Sequence, residues 1–466
     1  MMKRRDALKA IGGLGAAAGM ARFLPGCGDD HGITTYVYMM MENRSYDHFF
    51  GARSMIEKRA GNGLSMDMFN LDLDGKKISP WKPDLDQLCD PDPPHGWDAL
   101  HASWNNGAND GFVVQHQMAQ GNRTAIEPMQ YLVRDDVPVS WYLADQYATA
   151  DHWHCAVMGP TWPNRFYWHA GTSEGKMANT LPQGMFLTEP SIYHRLDAKG
   201  IDWAYYFGNV SVVSLYKGLD PNRIKRFEDF LGDAAAGRLP PVTYIDPAFN
   251  DNDDHPPVHP INGQALISTV YNALAQSPHW KNCLFVITYD ENGGFFDHVS
   301  PPRTVDVRAS VGFDQLGFRV PTLVAGPYVK RGYVSSVQYE HCSALRQLEL
   351  AFDLEPLNAR TQAASDLSDF IDADRLASGE WAPPVQLPAV DPTNAKTWPM
   401  SAVCDAGTIP GQGNTAAAEP GSHPILDWAR SNPPALAGMG PQPRDTTEYH
   451  RAIREFLART AREPVE

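Results

Sequence analysis

The run Tyr36-Val37-Tyr38-Met39-Met40-Met41 is apolar at every position, and Glu42, Asn43 and Arg44 follow it at once. A second run, Leu284–Tyr289, ends in the same abrupt way, in Asp290-Glu291-Asn292-Gly293-Gly294. Strands with no polar alternation fit a sheet buried on both faces. The predicted strands are Thr34–Met41, Trp203–Phe207, Val242–Ile245, Leu284–Tyr289 and Val320–Ala325. Between them, helices are predicted over Val139–Ala148, Asn262–Gln276 and His341–Phe352. In the last, Leu345, Leu348 and Phe352 recur at three-to-four spacing. Strands alternating with helices predict an α/β fold: a mostly parallel central sheet sandwiched between helices.

The pattern changes towards both ends. Trp381–Pro443 holds twelve prolines and no sustained period, which predicts a long irregular arm lying over the domain. Asp445-Thr446-Thr447-Glu448 then resembles a capping box, and Tyr449, Ile453, Phe456 and Leu457 give an amphipathic final helix. At the other end, Lys3-Arg4-Arg5 precedes a weakly apolar Gly/Ala stretch, which resembles a twin-arginine export signal. Leu24-Pro25-Gly26-Cys27 resembles a lipoprotein cleavage box, in which Cys27 would carry a lipid anchor. The expected organisation is therefore an export signal over 1–27 and a catalytic domain over 33–372. The arm and final helix, 373–466, would pack on that same domain. The expected partner in export is the twin-arginine machinery. The expected location is the periplasm, the exported face of a membrane, or the medium.

Composition narrows the partners. The 466 residues are 43% hydrophobic and 11% aromatic, enough for a large core, and the formal net charge is -16. That charge argues against nucleic acid or an anionic membrane as an electrostatic partner. It leaves room for a zwitterionic lipid or a small phosphate ester. Cys89, Cys155, Cys283, Cys342 and Cys404 show no C-x-x-C spacing, so neither a zinc ribbon nor a redox pair is expected.

In open parallel sheets, ligands gather at the carboxyl ends of the strands. Two such ends would present Glu42, Asn43, Asp290 and Glu291, all hard oxygen donors, for which a divalent cation is the natural partner. "GPTWPNR" adds Thr161. Pro163 fits the first turn of a helix, with Thr161 just before the helix start. There Thr161 is either an ordinary N-cap or, next to N–H groups that bind phosphate, a nucleophile activated by the metal. Asp-His occurs at Asp254-His255 and Asp297-His298, among other places. His95 and His101 precede a glycine-rich stretch. Histidine is the usual general acid at neutral pH.

Taken in order, "ENRSYDHFFG", "GPTWPNR", "DDHPP" and "DENGGFFDHV" resemble a bacterial phosphoesterase family. It contains phosphatidylcholine-type phospholipases C and acid phosphatase A, within the alkaline phosphatase superfamily. The resemblance implies an alkaline-phosphatase-like fold and one divalent metal ion (Ca, Mg, Mn or Zn) held by Glu42, Asn43, Thr161, Asp290 and Glu291. It makes Thr161 the nucleophile that forms a phospho-threonine intermediate. Asn164, His95, His255 and His298 would surround the phosphoryl group, with Asp254 orienting His255. His101 stands beside His95 as an alternative, and His341 is a further substrate-binding candidate. The implied activity is phospholipase C; the alternatives are a phosphomonoesterase on the same site and a non-catalytic surface lipoprotein that binds metal or phosphate. Asn109 stands where an apolar residue is expected before Asp110-Gly111.

Overall fold

A computed structural model describes residues 32–84, 91–179, 186–390 and 445–460. Its main sheet has eight strands. In chain order they are β1 (Thr35–Met41), β2 (Ala148–Ala150), β3 (Trp203–Phe207), β4 (Ile224–Arg226), β5 (Val242–Asp246), β6 (Cys283–Tyr289), β7 (Leu323–Ala325) and β8 (Tyr333–Ser335). Their spatial order is β8-β2-β7-β6-β1-β5-β3-β4. All pairings are parallel except those of β7, which runs antiparallel to both β6 and β2. The expected strand over 320–325 is thus shorter than its apolar run, and it is the one that breaks the parallel pattern.

β1 and β6 are the middle of the core, and every residue of each is buried. Tyr36 and Tyr38 turn to one face, where Tyr38 meets Trp168 and donates to the Ala344 carbonyl. That face is covered by α4 (Thr161–Ala170) and α6 (His341–Ala351), which pack on each other. Alternation sends Val37 and Met39 to the opposite face. Helix α5 (Pro260–Ala275) packs there with α3 (Pro138–Gln146) and with α7 (Thr447–Thr460). The remaining helices used below are α1 (Tyr46–Glu57), which follows β1, and α2 (Trp97–Trp104).

The final helix forms as its period requires: Tyr449, Ile453, Phe456 and Leu457 are all buried. Asp445 accepts from the Thr447 N–H at its start. The beginning of the proline-rich arm lies on the domain, with Tyr271 bonded to Val385 and Trp280 to Ala382. The expected export signal, Cys27, Cys89 and Cys404 lie outside the described residues. Cys155, Cys283 and Cys342 are buried free thiols. Among the described residues no helix is long and apolar enough to cross a membrane.

Candidate functional site

The site begins with strand register. β1 and β6 pair in parallel over seven residues, from Thr35 beside Cys283 to Met41 beside Tyr289. Two parallel strands ending level deliver their next residues side by side, so Glu42 and Asp290 leave the sheet together. The Asn43 N–H donates to Asp290 Oδ1 at 3.0 Å, and Asp290 N–H donates to the Met41 carbonyl at 3.0 Å. Gly293 N–H closes the turn on Glu291 Oε2 at 2.7 Å. Gly293 has φ +62°, and a Cβ there would fall 2.2 Å from the Asn43 carbonyl oxygen. Only glycine lets the two strand ends approach this closely.

Helix α4 brings Thr161. Its N-cap is Pro160, in extended conformation, and Thr161 is the first helical residue. The sequence expectation that Thr161 precedes the helix is therefore off by one, and an N-cap role for its hydroxyl falls away. Arg165 stands one turn further on the same helix face. It reaches Glu42 Oε1 at 3.1 Å, Asp246 Oδ1 at 3.0 Å and Asp290 Oδ2 at 3.9 Å. The face of α4 that carries Thr161 is thereby turned to the two strand ends.

The electrostatics call for a cation. Glu42, Asp253, Asp290 and Glu291 are all buried. Burial is the largest cause holding each carboxyl above its ordinary pKa, with Asp290 pushed up to about 6. The charge of an acidic neighbour adds to the effect at Asp253, Asp290 and Glu291. Asn43 Oδ1, Thr161 Oγ1, Asp290 Oδ2 and Glu291 Oε1 are each buried without a hydrogen-bond partner. Buried polar atoms are nearly always satisfied. Four unsatisfied oxygens of the amide, hydroxyl and carboxylate types, with the Glu42 carboxylate alongside, are the donor set of a hard divalent ion. The residues present thus fit the expected metal.

Two histidines join this set. His95 Nε2 lies 3.4 Å from Asn43 Nδ2 and 3.9 Å from Glu291 Oε1. Its ring meets that of His255 edge-on, with centroids 5.5 Å apart. Asp92, His95 and His255 bring ligand-type atoms within 4.8 Å of one another. A cavity of about 570 Å³ opens beside His95, lined also by Trp97, Pro160, Met177 and Asn179.

Comparison with known proteins gives this site a family. The model of the Phosphoesterase family matches residues 33–355. The chain belongs to that family. It is 31% identical to non-specific phospholipase C6 of Arabidopsis thaliana over 410 residues, 78% of this chain and 76% of that one. It is 27% identical to phospholipase C A of Mycobacterium tuberculosis over 453 residues, 81% of this chain and 86% of that one. Among solved structures, a protein in the alkaline phosphatase superfamily from Vibrio parahaemolyticus aligns with 72% of this chain and 70% of its own. The TM-score is 0.37 and the identity 10%. The expected class, a hydrolase of phosphoric esters, follows from the family membership.

Several expected site residues do other work in this phosphoesterase. Asp254 does not orient His255: its Oδ2 accepts from Tyr289 at 2.6 Å, and its Oδ1 lies over Gly263 at the start of α5. The His255 ring is fixed instead through Nδ1, which donates to the Pro256 carbonyl at 2.7 Å. Asn164 folds the turn that carries Thr161. It accepts from Val157 N–H and donates to the Val157, Gly159 and Pro160 carbonyls, fully buried. His341 lies behind the site, not in it. Its Nε2 donates to the Asp290 carbonyl at 2.7 Å and its Nδ1 accepts from Trp153. Burial keeps that ring neutral, with a pKa lowered to about 3.

His298 belongs to a separate network. Its Nδ1 donates to Asp47 Oδ2 at 2.7 Å and its Nε2 to Asn62 Oδ1 at 3.0 Å. Asp47, Asp297 and His298 also converge as a metal site would, but the Arg319 guanidinium occupies the centre, bonded to Asp297 at 2.9 Å and Asp47 at 3.0 Å. His298 is thus tied to Asp47, Asn62 and Arg319 rather than to the strand ends that carry Asn43 and Glu291. His101 stacks on Trp97 and donates to its carbonyl, so of the two neighbouring histidines His95 is the one in the site. Asn109 donates to the Asp297 carbonyl at φ +52°, a backbone conformation that asparagine tolerates. Sequence reading missed Arg165 and Asp92. Arg165 closes the quoted "GPTWPNR" motif, and a buried acid cluster needing a counter-charge was the signal for it.

Proposed function

We propose that this chain is an exported, metal-dependent phospholipase C that hydrolyses phospholipid phosphodiesters through a phospho-threonine intermediate. The observation that carries the reading is the set of buried oxygens without hydrogen-bond partners on Asn43, Thr161, Asp290 and Glu291. A site built only to bind a cation has no need of the Thr161 hydroxyl. The chain's relatives among the phospholipases C support the diester reading.

Glu42, Asn43, Thr161, Asp290 and Glu291 would hold the divalent ion, which when bound would neutralise phosphoryl charge and lower the pKa of the Thr161 hydroxyl. Thr161, its proton lost to solvent, attacks phosphorus with its Oγ. The bond from phosphorus to the diacylglycerol oxygen breaks, and that oxygen takes a proton from the His95 and His255 pair. Water then attacks the phospho-threonine and gives its proton back to the same pair. Thr161 leaves as the phosphorylated head group departs. Arg165 holds Glu42 and Asp290 in place throughout, and His341 fixes the Asp290 backbone.

The test is a substrate panel on the purified mature chain: p-nitrophenyl phosphate, bis-p-nitrophenyl phosphate, p-nitrophenylphosphocholine and phosphatidylcholine, with and without added divalent ions. The diester reading expects turnover of the last two, dependent on metal. Turnover of the monoester alone would make the chain a phosphatase, and metal binding without turnover would make it a binder.

A further inference from the structure

The loop 303–315 reverses the usual order of a protein surface. It leaves and returns side by side, with the Thr304 N–H on the Asp314 carbonyl at 2.8 Å and the Leu316 N–H on the Pro302 carbonyl at 3.1 Å. Between these bonds its polar side chains turn inward. Thr304 donates to Glu340 Oε1 at 3.3 Å, and Arg308 donates to the Thr172 hydroxyl at 3.1 Å. Asp306 Oδ2 accepts from Arg360 at 3.1 Å and from the Tyr167 hydroxyl at 2.8 Å. The apolar side chains between them turn outward. Val305, Val307 and Val311 are 51%, 73% and 55% exposed, and Val307 is the most exposed large apolar side chain among the described residues. We propose that this loop is a docking surface for zwitterionic phospholipid, its three valines entering the head-group layer beside the mouth of the site. The choice of occupant rests on the phospholipase reading above.

Position and charge both favour a lipid layer. Phe313, where the loop returns, packs on Trp97 with ring centroids 5.2 Å apart, and Trp97 is a wall of the cavity beside His95. Met177, a second wall, belongs to the same apolar cluster as Phe313 and Trp97. A surface that touches the valines therefore lies next to the cavity. The loop holds two acids, and both are covered. Asp306 is paired with Arg360, and Asp314 with Arg303 at 2.5 Å, leaving the Arg303 side chain 69% exposed against 15% for Asp314. The loop thus presents valines with a guanidinium at their base, which complements phosphate groups lying over acyl chains. The net charge of -16 on the whole chain opposes an anionic bilayer and equally a second copy of the chain. The inward bonds fix the valines before contact, so little ordering is needed on docking.

The experiment reads binding apart from turnover. The purified chain with its metal is mixed in a stopped-flow with phosphatidylcholine vesicles carrying a trace of dansyl lipid. Energy transfer from its tryptophans is followed before substrate is consumed. The parent should bind. Val305→Ser, Val307→Ser and Val311→Ser together should weaken vesicle affinity by at least about tenfold, with kcat/KM on soluble p-nitrophenylphosphocholine unchanged. Val307→Leu should tighten binding by about threefold. Val307→Ser alone should weaken it by about threefold if the triple variant does not fold. No binding by the parent, or equal binding by the serine variants, overturns the proposal. So does a matching fall in kcat/KM on the soluble ester, because the loop would then shape the site. A parental dimer that the serine variants dissolve, seen by ultracentrifugation, also overturns it, since the valines would face a second copy. A chain that binds vesicles through the valines but turns over no ester keeps the docking surface and fails the phospholipase reading. Turnover of p-nitrophenylphosphocholine without vesicle binding does the reverse.

Discussion

Arg165 Nη2 lies 3.1 Å from Glu42 Oε1, and both side chains are fully buried. The same guanidinium faces Asp246 and Asp290. Removing one partner of a buried ion pair costs about 3–5 kcal/mol, because the other charge is left uncompensated. Arg165→Gln should lose stability on that scale in urea denaturation. Arg165→Lys should recover little of it, since an ammonium cannot bond several acids in one plane. A loss below about 1 kcal/mol would mean that Arg165 does not balance these acids.

Metal dependence is checked by binding as well as turnover. Changes outside the ligand shell already cost about 10–100-fold in metal affinity. Asp290→Asn and Glu42→Gln, which remove a ligand charge, should cost more in a calorimetric titration. Chelation should abolish diester hydrolysis, and a readded divalent ion should restore it. Full turnover in a preparation shown to be metal-free would remove the ion from the mechanism.

Thr161→Ala separates nucleophile from scaffold. Because Pro160 holds the N-cap position, the variant should melt within a few degrees of the parent. Activity should all but vanish. Thr161→Ser keeps the hydroxyl and should retain a good part of the rate. Rapid quenching with a slow diester should trap phosphate on a peptide containing Thr161. An alanine variant with parental turnover would disprove the assignment.

His298 makes stability depend on pH. Burial lowers its pKa, but the hydrogen bond and charge of Asp47 outweigh that and leave it raised. A raised folded pKa means that the stabilisation is fully present below the ordinary histidine pKa. It is lost as pH rises through the folded one. His298→Asn should therefore destabilise the chain more at pH 5.5 than at pH 9, read by denaturation at both. Equal losses at the two pH values would show that the ring is held without charge.

Export is read at the N-terminus. On the proposed export reading, in which the paired guanidinium groups are the address, replacing Arg4 and Arg5 together by lysine should leave the chain in the cytoplasm. Fractionation checks this. Normal periplasmic accumulation of the double variant would rule the signal out. Mass spectrometry of the mature N-terminus checks lipidation of Cys27.

The strands were legible because burial on both faces writes itself as unbroken apolar runs. Thr35–Met41 and Cys283–Tyr289 sit within a residue of the predicted bounds. Their polar ends could be read as site residues for a similar local reason: a strand that stops at a ligand edge must present something there. The antiparallel course of Leu323–Ala325 could not be read, since an apolar run of three has no direction in sequence.

The Asp-His pairs are placed by the fold rather than by their adjacency in sequence. Sequence supplied an Asp-His pair at Asp254-His255 and another at Asp297-His298, but adjacent side chains diverge from a common backbone. Asp254 goes to Tyr289, and His298 to Asp47, 251 positions away. The His95 and His255 rings are held locally, by the Pro93 and Pro256 carbonyls, while the strand ends bring Asn43 and Glu291 to His95. What the sequence by itself determined is which residues leave the sheet at its ligand edge, because that depends on where an apolar run stops. Which carboxylate faces which imidazole, and which cation balances Glu42, was decided only by the tertiary structure. The pairings of His298 with Asp47 and of Arg165 with Glu42 span 251 and 123 positions and are fixed by strand register and helix placement rather than by neighbours in sequence.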